Sequence, residues 1–342
     1  MEKRVGRFDN LKGLLIIIVV FLHVMMQRSF IREREFPICL MIEAIISSCS
    51  MPAFIFISGM FTTKKWTREG WAEKLVVNLF VPFVIFNLLW WALFSRSPKT
   101  LFDPFYHIWY LLSLFCWRLM VIPFSKIRFS FLFSIAAALI CGLTPADRML
   151  SISRTVCFFP YFLAGYYADK ETVLKLGNSL LKKILATGVM ICLFLLVVFL
   201  QQKKGLPMIK FAYNRDPYEF FGLSNINGVL LRSLGYFTGF SITFCLIALM
   251  TDKECFLTYL GKNTMTLYII HAFIIKIYEK ILKKAGIWSS MGQAEFLLFT
   301  VIMTAVLCFL LSRKYVMSIY QRVMDAVTGC LVKNEQTSML QK

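Results

Sequence analysis

Long apolar blocks separated by short charged segments follow one another along almost the whole chain. A helix needs about 20 mostly apolar residues to cross roughly 30 Å of hydrocarbon, and in lipid its backbone polar groups must be satisfied within the segment. The blocks have the length of such helices and are too long for the strands of a barrel. We therefore predict an all-α, polytopic membrane protein with about ten transmembrane helices. The predicted spans are residues 11–28, 36–61, 75–95, 107–125, 130–145, 152–168, 183–201, 228–250, 256–280 and 295–312.

The connections between the blocks are too short to hold a separate soluble domain. We therefore predict one integral-membrane domain over residues 1–342, with a charged cytoplasmic tail at 313–342. The longest connection, at 202–227, contains glycines and prolines and is predicted to be an ordered loop on one membrane face. Lys and Arg are more frequent in the segments that become cytoplasmic when the N-terminus is inside. The even number of spans then places both termini in the cytoplasm.

Composition agrees with a membrane protein and excludes several soluble classes. Hydrophobic residues make up 58% of the chain, whereas a soluble domain has roughly 45–50%. The net charge of +19 is spread over nearly every loop, which is typical of membrane topology and anionic headgroups rather than of a nucleic-acid-binding arm. A second interpretation is that some cytoplasmic bases also hold the phosphates of a nucleotide-like donor.

Known catalytic and metal-binding motifs are missing from the sequence. The ten cysteines form no C-x-x-C pair and no Cys/His metal spacing, so we predict neither a structural disulfide nor a metal site. There is no Walker motif, dinucleotide fingerprint, G-x-S-x-G or H-E-x-x-H. These absences argue against an ATPase, a redox enzyme and a metalloprotease.

The first span carries ionisable residues, which are expensive at membrane depth and usually functional. Lys12 and His23 are eleven residues apart, which puts them within about 20° on one helix face and about 16 Å apart along the axis. Asp9 lies three residues before Lys12 and shares that face. A cation at the membrane surface suits an anionic donor, and a deeper imidazole suits proton transfer. The alternative is that His23 only bonds a neighbouring helix while Lys12 anchors the span.

The fourth span repeats the eleven-residue separation with His107 and Arg118. Trp109 and Tyr110 are either part of an aromatic belt at the headgroups or a platform on which a sugar stacks. Arg118 is too deep for snorkelling, so we expect a buried partner or a substrate anion beside it.

Polar residues also line two other spans. Thr264, Tyr268 and His271 form a stripe with helical spacing in the ninth span. Glu43 is an acid deep in the second span and is predicted to pair with Arg118 or with a histidine. For Glu43, a structural pair and a catalytic role remain open.

Five segments, taken in order, resemble a known family. They are D-N-L-K-G with a histidine eleven residues after the lysine, M-P-A-F-I-F-I-S-G-M-F, H-I-W-Y-L-L, F-P-Y-F-L-A-G-Y-Y and L-G-K-N-T-M-T-L-Y-I-I-H. The set is similar to the bacterial integral-membrane acyltransferases of acyltransferase family 3. More narrowly, it is similar to the fucose-4-O-acetylase-like branch of that family.

The resemblance implies about ten helices in the inner (plasma) membrane, acetyl-CoA or another acyl-CoA as the donor, and a hydroxyl of an envelope saccharide as the acceptor. The family's functional Arg and His correspond to Lys12 and His23, so His23, Lys12 and Asp9 are the expected catalytic residues. Lysine binds phosphate as a point charge, whereas arginine binds it through two parallel bonds. The expected donor-binding residues are Lys12, Lys64, Lys65, Arg68 and Lys74. The expected substrate-binding residues are His107, Trp109, Tyr110, Arg118, Glu43, Tyr268 and His271.

Three other functions fit parts of the pattern. A secondary transporter would also have many spans with intramembrane charges, although such proteins often contain two related halves, and the sequence has no convincing repeat. A polysaccharide polymerase or flippase would carry a larger external loop or more spans. In the eukaryotic-type membrane-bound O-acyltransferases the histidine lies in a late helix, so His271 rather than His23 would be essential.

Overall fold

The described part of the protein is helical and contains no strand. The computed structural model describes residues 6–27, 36–64, 66–67, 70–95, 103–105, 107–144, 149–202, 208–287 and 291–331. The main helices are α1 (Gly6–Met25), α2 (Pro37–Met60), α3 (Trp71–Phe94), α4 (Trp109–Phe124), α5 (Ser130–Cys141), α6 (Ile152–Tyr167), α7 (Leu180–Gln202), α8 (Asn225–Leu249), α9 (Phe256–Lys262), α10 (Thr264–Lys284), α11 (Gln293–Leu311) and α12 (Lys314–Leu331).

Six helices in the described residues are long and apolar enough to cross a membrane, namely α1, α2, α3, α7, α8 and α11. This finding confirms the polytopic, all-α class. The six are fewer than the ten spans expected from the sequence, because α4 and α5 are apolar but shorter. In addition, the second half of α10 carries charged residues, among them Lys276 and Glu279.

The predicted ninth span is two helices rather than one. It breaks at Asn263, whose φ of −127° and ψ of 29° lie outside the helical region. Before the break, α9 packs closely against the first half of α1. A Cβ on Gly13 would collide with the carbonyl of Leu257, and one on Gly261 would collide with that of Asp9. The backbones of α1 and α9 therefore touch, and this contact fixes where α10 begins.

The amide of Asn10 binds the segment that leads into α9. Its Nδ2 donates to the carbonyls of Thr251 and Lys253, at 2.8 and 2.9 Å, and its Oδ1 accepts from the hydroxyl of Thr258 at 2.5 Å. Arg7 on the same helix pairs with Asp252. The D-N-L-K-G segment therefore has a structural role: Asn10 and Gly13 hold α9 against α1.

The predicted tail contains a further helix. In α12 the side chains of Val316, Tyr320 and Met324 recur every four residues and face the bundle, with Tyr320 stacked 6.2 Å from the ring of Phe86. Such spacing gives a helix one apolar stripe, while its other faces stay polar. Residues 332–342 lie outside the described part of the chain.

Most of the predicted loop at 202–227 folds over the end of the bundle. It contains a short helix at Met208–Ala212 and a helical turn at Tyr218–Phe221. The short helix packs on α2 and α7. In its described residues, this segment therefore covers the interior beside the middle of α2.

Candidate functional site

The three histidines of the chain come together inside the bundle. The ring of His271 is centred 5.0 Å from that of His23 and 5.0 Å from that of His107, and the last two are 6.0 Å apart. His23 comes from α1, His107 from the turn before α4, and His271 from α10. The fold thus gathers side chains that the sequence places in three different predicted spans.

Hydrogen bonds define the tautomers of two of these rings. Nδ1 of His271 lies 2.8 Å from the carbonyl oxygen of Leu267 and must carry the proton, because a carbonyl only accepts. In neutral His271 the lone pair is then on Nε2, which lies 2.9 Å from Nδ1 of His23. Nδ1 of His23 is therefore the donor. A neutral His23 keeps its lone pair on Nε2, the atom that can take up a further proton.

Residues of α10 hold both the ring and the backbone carbonyl of His107. Its Nε2 is 3.2 Å from the carbonyl oxygen of Ile269, and its backbone carbonyl accepts the hydroxyl of Tyr268. These contacts keep His107 in a buried turn, and the helix begins only at Trp109. The predicted span begins at residue 107, which is two residues before the observed start of α4.

A cavity of about 90 Å³ adjoins the cluster. Its walls come from α1, α2, α4, α6, α10 and the loop before α8. His23, His107 and Tyr268 line it. His271 is fully buried behind His23. A molecule in this cavity can touch His23, whereas His271 acts on it only through His23.

The first two residues of α4 are aromatic, and both line the cavity rather than an exposed membrane boundary. Trp109 and Tyr110 are both buried. The indole of Trp109 stacks on Phe158 with ring centres 5.6 Å apart, and the hydroxyl of Tyr110 is 2.6 Å from that of Ser58. Both side chains are therefore part of the cavity wall.

The cavity is also lined by Ser50 and by two polar residues that the sequence analysis did not single out, Arg154 and Tyr213. The guanidinium of Arg154 lies 5.0 Å from the ring centre of Trp109. The signal that would have revealed Arg154 is an arginine within a predicted apolar span, although it lies near the start of its span whereas Arg118 lies deep in its own. Ser50 is buried, and its hydroxyl has no hydrogen-bond partner in the described part of the chain.

Glu43 has a different neighbour from the one predicted. Its Oε1 lies 3.4 Å from the hydroxyl of Tyr213 in the loop before α8. Burial, followed by the nearby carboxylate of Glu43, raises the pKa of Tyr213, so the tyrosine is the donor. Arg118 does not line the cavity, and its Nε has no hydrogen-bond partner among the described residues. The structure therefore does not show the expected pair of Glu43 with Arg118 or a histidine. Glu43 instead connects α2 to the loop before α8.

Lys12 lies at the other end of α1, about 16 Å from His23 along the helix axis. Its Nζ is 3.5 Å from Oδ1 of Asp9 and 4.0 Å from the ring centre of Phe61. Lys170 approaches the same ring to 5.1 Å. Two ammonium groups thus flank one aromatic ring near the ends of α1, α2 and α6. Lys12 and Asp9 are too far along the helix to act on the same atom as His23.

The other expected donor-binding residues are less closely defined. Lys64 is exposed and lies 5.5 Å from the ring centre of Tyr166. Lys74 is exposed in the first turn of α3. Lys65 and Arg68 lie outside the described residues.

The cluster is arranged for hydrogen bonding. Within the described ranges, no three His, Cys, Asp or Glu side chains are placed to hold a metal ion. The histidine nitrogens face one another and backbone carbonyls instead. Chemically, the site offers an oriented imidazole base, a second imidazole behind it, and an aromatic-walled cavity with a nearby guanidinium.

Comparison with known proteins adds a family relationship. A family model described as an acyltransferase domain matches residues 5–313. No curated protein and no solved structure matches the chain. The matched range holds all three histidines, Lys12 and Arg154, and it ends just before α12.

Proposed function

Because the chain belongs to the acyltransferase domain family and is a multi-pass membrane acyltransferase, we propose that it moves an acetyl or other short acyl group from cytoplasmic acyl-CoA to a saccharide hydroxyl. The acceptor is a cell-envelope or secreted polysaccharide or glycoconjugate, as in the fucose-4-O-acetylase-like branch. The observation that carries the proposal is the His23–His271 pair at the wall of a cavity.

His23 is the general base in this proposal. Its Nε2 takes the proton of the acceptor hydroxyl while the hydroxyl oxygen attacks the thioester carbonyl. The new C–O bond forms, the C–S bond breaks, and the proton passes from His23 to the leaving sulfur of CoA. Throughout the reaction, Nε2 of His271 accepts a hydrogen bond from the N–H at Nδ1 of His23. This bond stabilises the imidazolium of His23. A transient acyl-imidazole would use the same Nε2 atom.

The donor binds where Lys12 and Lys170 flank Phe61. Ammonium groups bind phosphate as point charges, and both of these lie close to one aromatic ring. With the N-terminus inside, this end of α1 is cytoplasmic, where acyl-CoA is made. The pantetheine arm then extends about 16 Å along α1 to bring the thioester to His23. Lys64, Lys65, Arg68 and Lys74 add positive charge around this entrance.

The acceptor occupies the histidine cavity from the opposite membrane face. Carbohydrate faces pack on aromatic rings, and Trp109 and Tyr268 provide such rings in the wall. Arg154 adds hydrogen-bond donors beside them, and Nδ1 of His107 adds an acceptor, because Nε2 of that ring donates to the carbonyl of Ile269. This arrangement requires the N-in, C-in topology with the shorter helices α4, α5 and α6 and the broken helix α9–α10 completing about ten crossings.

The test measures acyl transfer in membranes that contain the protein. With radiolabelled acetyl-CoA, the wild type should label a saccharide fraction, and His23→Ala should reduce the rate by a factor of about 10²–10⁴, the usual contribution of a general base. His23→Gln serves as a polar variant of similar size, and thermal unfolding checks that both variants fold. Normal saccharide labelling by folded His23→Ala would refute the assignment. Saccharide uptake without labelling would favour a transporter.

A further inference from the structure

Ser50 of α2 lies at the same depth in the bundle as His23 of α1. The end of α2 meets the start of α1, where the ring centre of Phe61 is 4.0 Å from Nζ of Lys12. His23 follows Lys12 by eleven residues, and Ser50 precedes Phe61 by eleven. A helix rises about 1.5 Å per residue, so both side chains are about 16 Å from this contact. Because α1 and α2 pack against each other, their register brings a hydroxyl and an imidazole to one level.

The hydroxyl of Ser50 is not used by the fold. It is buried and has no hydrogen-bond partner among the described residues. On the same helix, Ser48 donates to the carbonyl of Ile45 at 2.7 Å, which is the usual way in which a serine within a helix satisfies its proton. Ser50 lacks such a bond and lines the histidine cavity. A buried hydroxyl without a partner is unfavourable, and a ligand that accepts its proton in the cavity would remove the penalty.

The other polar side chains of the cavity wall have assignments of their own. Three tyrosine hydroxyls already have partners in the protein. These pairs are Tyr110 with Ser58, Tyr213 with Glu43, and Tyr268 with the backbone carbonyl of His107. Ser47 lies beside the hydroxyl of Tyr213, and the guanidinium of Arg154 lies 5.0 Å from the ring centre of Trp109, which the proposed function gives to the saccharide. The hydroxyl that remains for the acyl donor is that of Ser50.

Acyl transfer requires such a donor. When a hydroxyl attacks a thioester, the π electrons of the carbonyl move onto its oxygen, and a hydrogen-bond donor aimed at this oxyanion lowers the barrier strongly. His23 cannot fill this role, because Nε2 takes the proton of the attacking hydroxyl and Nδ1 donates to His271. The cavity of about 90 Å³ is only several times the roughly 10–15 Å³ that one water molecule needs. A carbonyl beside His23 is therefore also close to Ser50.

We infer that Ser50 donates a hydrogen bond to the carbonyl oxygen of the acyl thioester and stabilises the oxyanion that forms when the acceptor attacks. Ser50 keeps its proton throughout. The electron pair on the oxyanion returns to form the C=O bond as the C–S bond breaks, and the proton held by His23 goes to the leaving sulfur. This inference rests on the proposed function and adds a catalytic residue to it.

The first experiment measures the kinetics of acyl transfer in nanodiscs. Ser50→Ala removes the donor, so kcat should fall by a factor of about 10²–10³, the usual effect of losing one oxyanion donor, while the KM for acetyl-CoA stays the same. Ser50→Cys fills nearly the same space but donates only weakly, so it should be nearly as slow. Ser48→Ala is the matched control, because Ser48 does not line the histidine cavity, and it should keep the wild-type kcat.

Thermal unfolding separates catalysis from folding in these variants. Oγ of Ser50 has no partner among the described residues, so its removal should not lower the unfolding midpoint. A lower midpoint together with an unchanged kcat in Ser50→Ala would show a structural role and would overturn the inference.

The second experiment measures binding and needs no acceptor. One CoA analogue ends in a methyl ketone, whose carbonyl carbon is planar, and the other ends in a trifluoromethyl ketone, which hydrates in water to a tetrahedral carbon. The wild type should bind the tetrahedral analogue more tightly, because it resembles the transition state. In Ser50→Ala the ratio of the two Kd values should change about tenfold or more toward equal binding, a change of about 1.4 kcal/mol. Ser48→Ala should keep the wild-type ratio.

The outcomes distinguish the role of Ser50 from the proposed function. An unchanged ratio in Ser50→Ala, or equal binding of both analogues by the wild type, overturns the role of Ser50. If the wild type binds neither analogue, the proposed acyl-CoA donor is wrong and the inference falls with it. If Ser50→Ala loses the preference but the wild type labels no saccharide, the role of Ser50 holds and the proposed acceptor is wrong.

Discussion

Nε2 of His271 lies 2.9 Å from Nδ1 of His23, although 248 residues separate them in the sequence. The carbonyl of Leu267 fixes the tautomer of His271, and that tautomer in turn fixes the proton on His23. The contact of α9 with α1 through Gly13 and Gly261 holds α10 in this register. The choice of the His23 nitrogen that carries the proton is therefore set by α10, a helix near the other end of the chain.

The first prediction concerns His271 as a positioning residue. His271→Ala removes the acceptor for the Nδ1 proton of His23, so the ring can turn or change tautomer. We expect kcat to fall by a factor of about 10² or more, as for loss of an oriented base, while the KM for acetyl-CoA stays the same. His271→Gln retains a carbonyl oxygen that can accept the Nδ1 proton, and it should recover part of kcat.

Initial-rate kinetics in detergent or nanodiscs give both constants. A purely structural role for His271 would lower thermal stability and would not produce a selective rescue of kcat by glutamine. Equal activity of His271→Ala and the wild type would contradict the positioning role of His271.

The second prediction is that Asn10 of the D-N-L-K-G segment stabilises the fold and does not bind the donor. Asn10→Ala leaves the carbonyls of Thr251 and Lys253 and the hydroxyl of Thr258 without their partner. We expect a loss of about 1–3 kcal/mol in the free energy of unfolding, measured as a lower midpoint in thermal unfolding. The KM for acetyl-CoA of the folded protein should not change. Asn227→Ala, an exposed asparagine at the start of α8, is the control and should leave the midpoint in place.

The apolar pattern predicted the helical class and most helix positions, because helices that face lipid are set by local composition. It could not predict the break at Asn263, since the break depends on α9 packing against α1. The apolar run through 256–280 continues across it. Nor could spacing within one helix show that His23, His107 and His271 meet. That convergence depends on glycine contacts between helices, and these leave no periodic signal.

Arg154 shows a different kind of limit. The sequence gives it the same status as Arg118, because both are arginines in predicted spans. Only packing distinguishes them: Arg154 lines the histidine cavity beside Trp109, whereas Arg118 does not line it. A rule about charge at membrane depth therefore identifies candidates but does not rank them.

The third prediction assigns Lys12 to the donor and not to the chemical step. Lys12→Ala removes one of the two ammonium groups beside Phe61. We expect the KM for acetyl-CoA to rise about tenfold or more, since a charge-assisted bond contributes about 1.5–3 kcal/mol, with little change in kcat. Lys12→Arg should bind acetyl-CoA at least as well, because its fork can hold phosphate through two bonds.

The matched control is Lys262→Ala, which removes an exposed lysine that pairs with Glu254 at 3.1 Å. It should leave the KM unchanged. A fall in kcat for Lys12→Ala with an unaltered KM would place Lys12 in the chemical step and contradict the assignment.

The fourth prediction concerns Arg154 and the acceptor. Arg154→Ala should lower kcat/KM for the saccharide acceptor about tenfold or more, which corresponds to the loss of one charge-assisted hydrogen bond. The KM for acetyl-CoA should stay the same, because Lys12 and Phe61 lie at the other end of α1. Arg154→Lys should recover only part of the loss, since lysine keeps the charge but cannot stack a planar group on Trp109. Arg118→Ala supplies the comparison: if it impairs acceptor use more than Arg154→Ala does, the acceptor binds outside the histidine cavity.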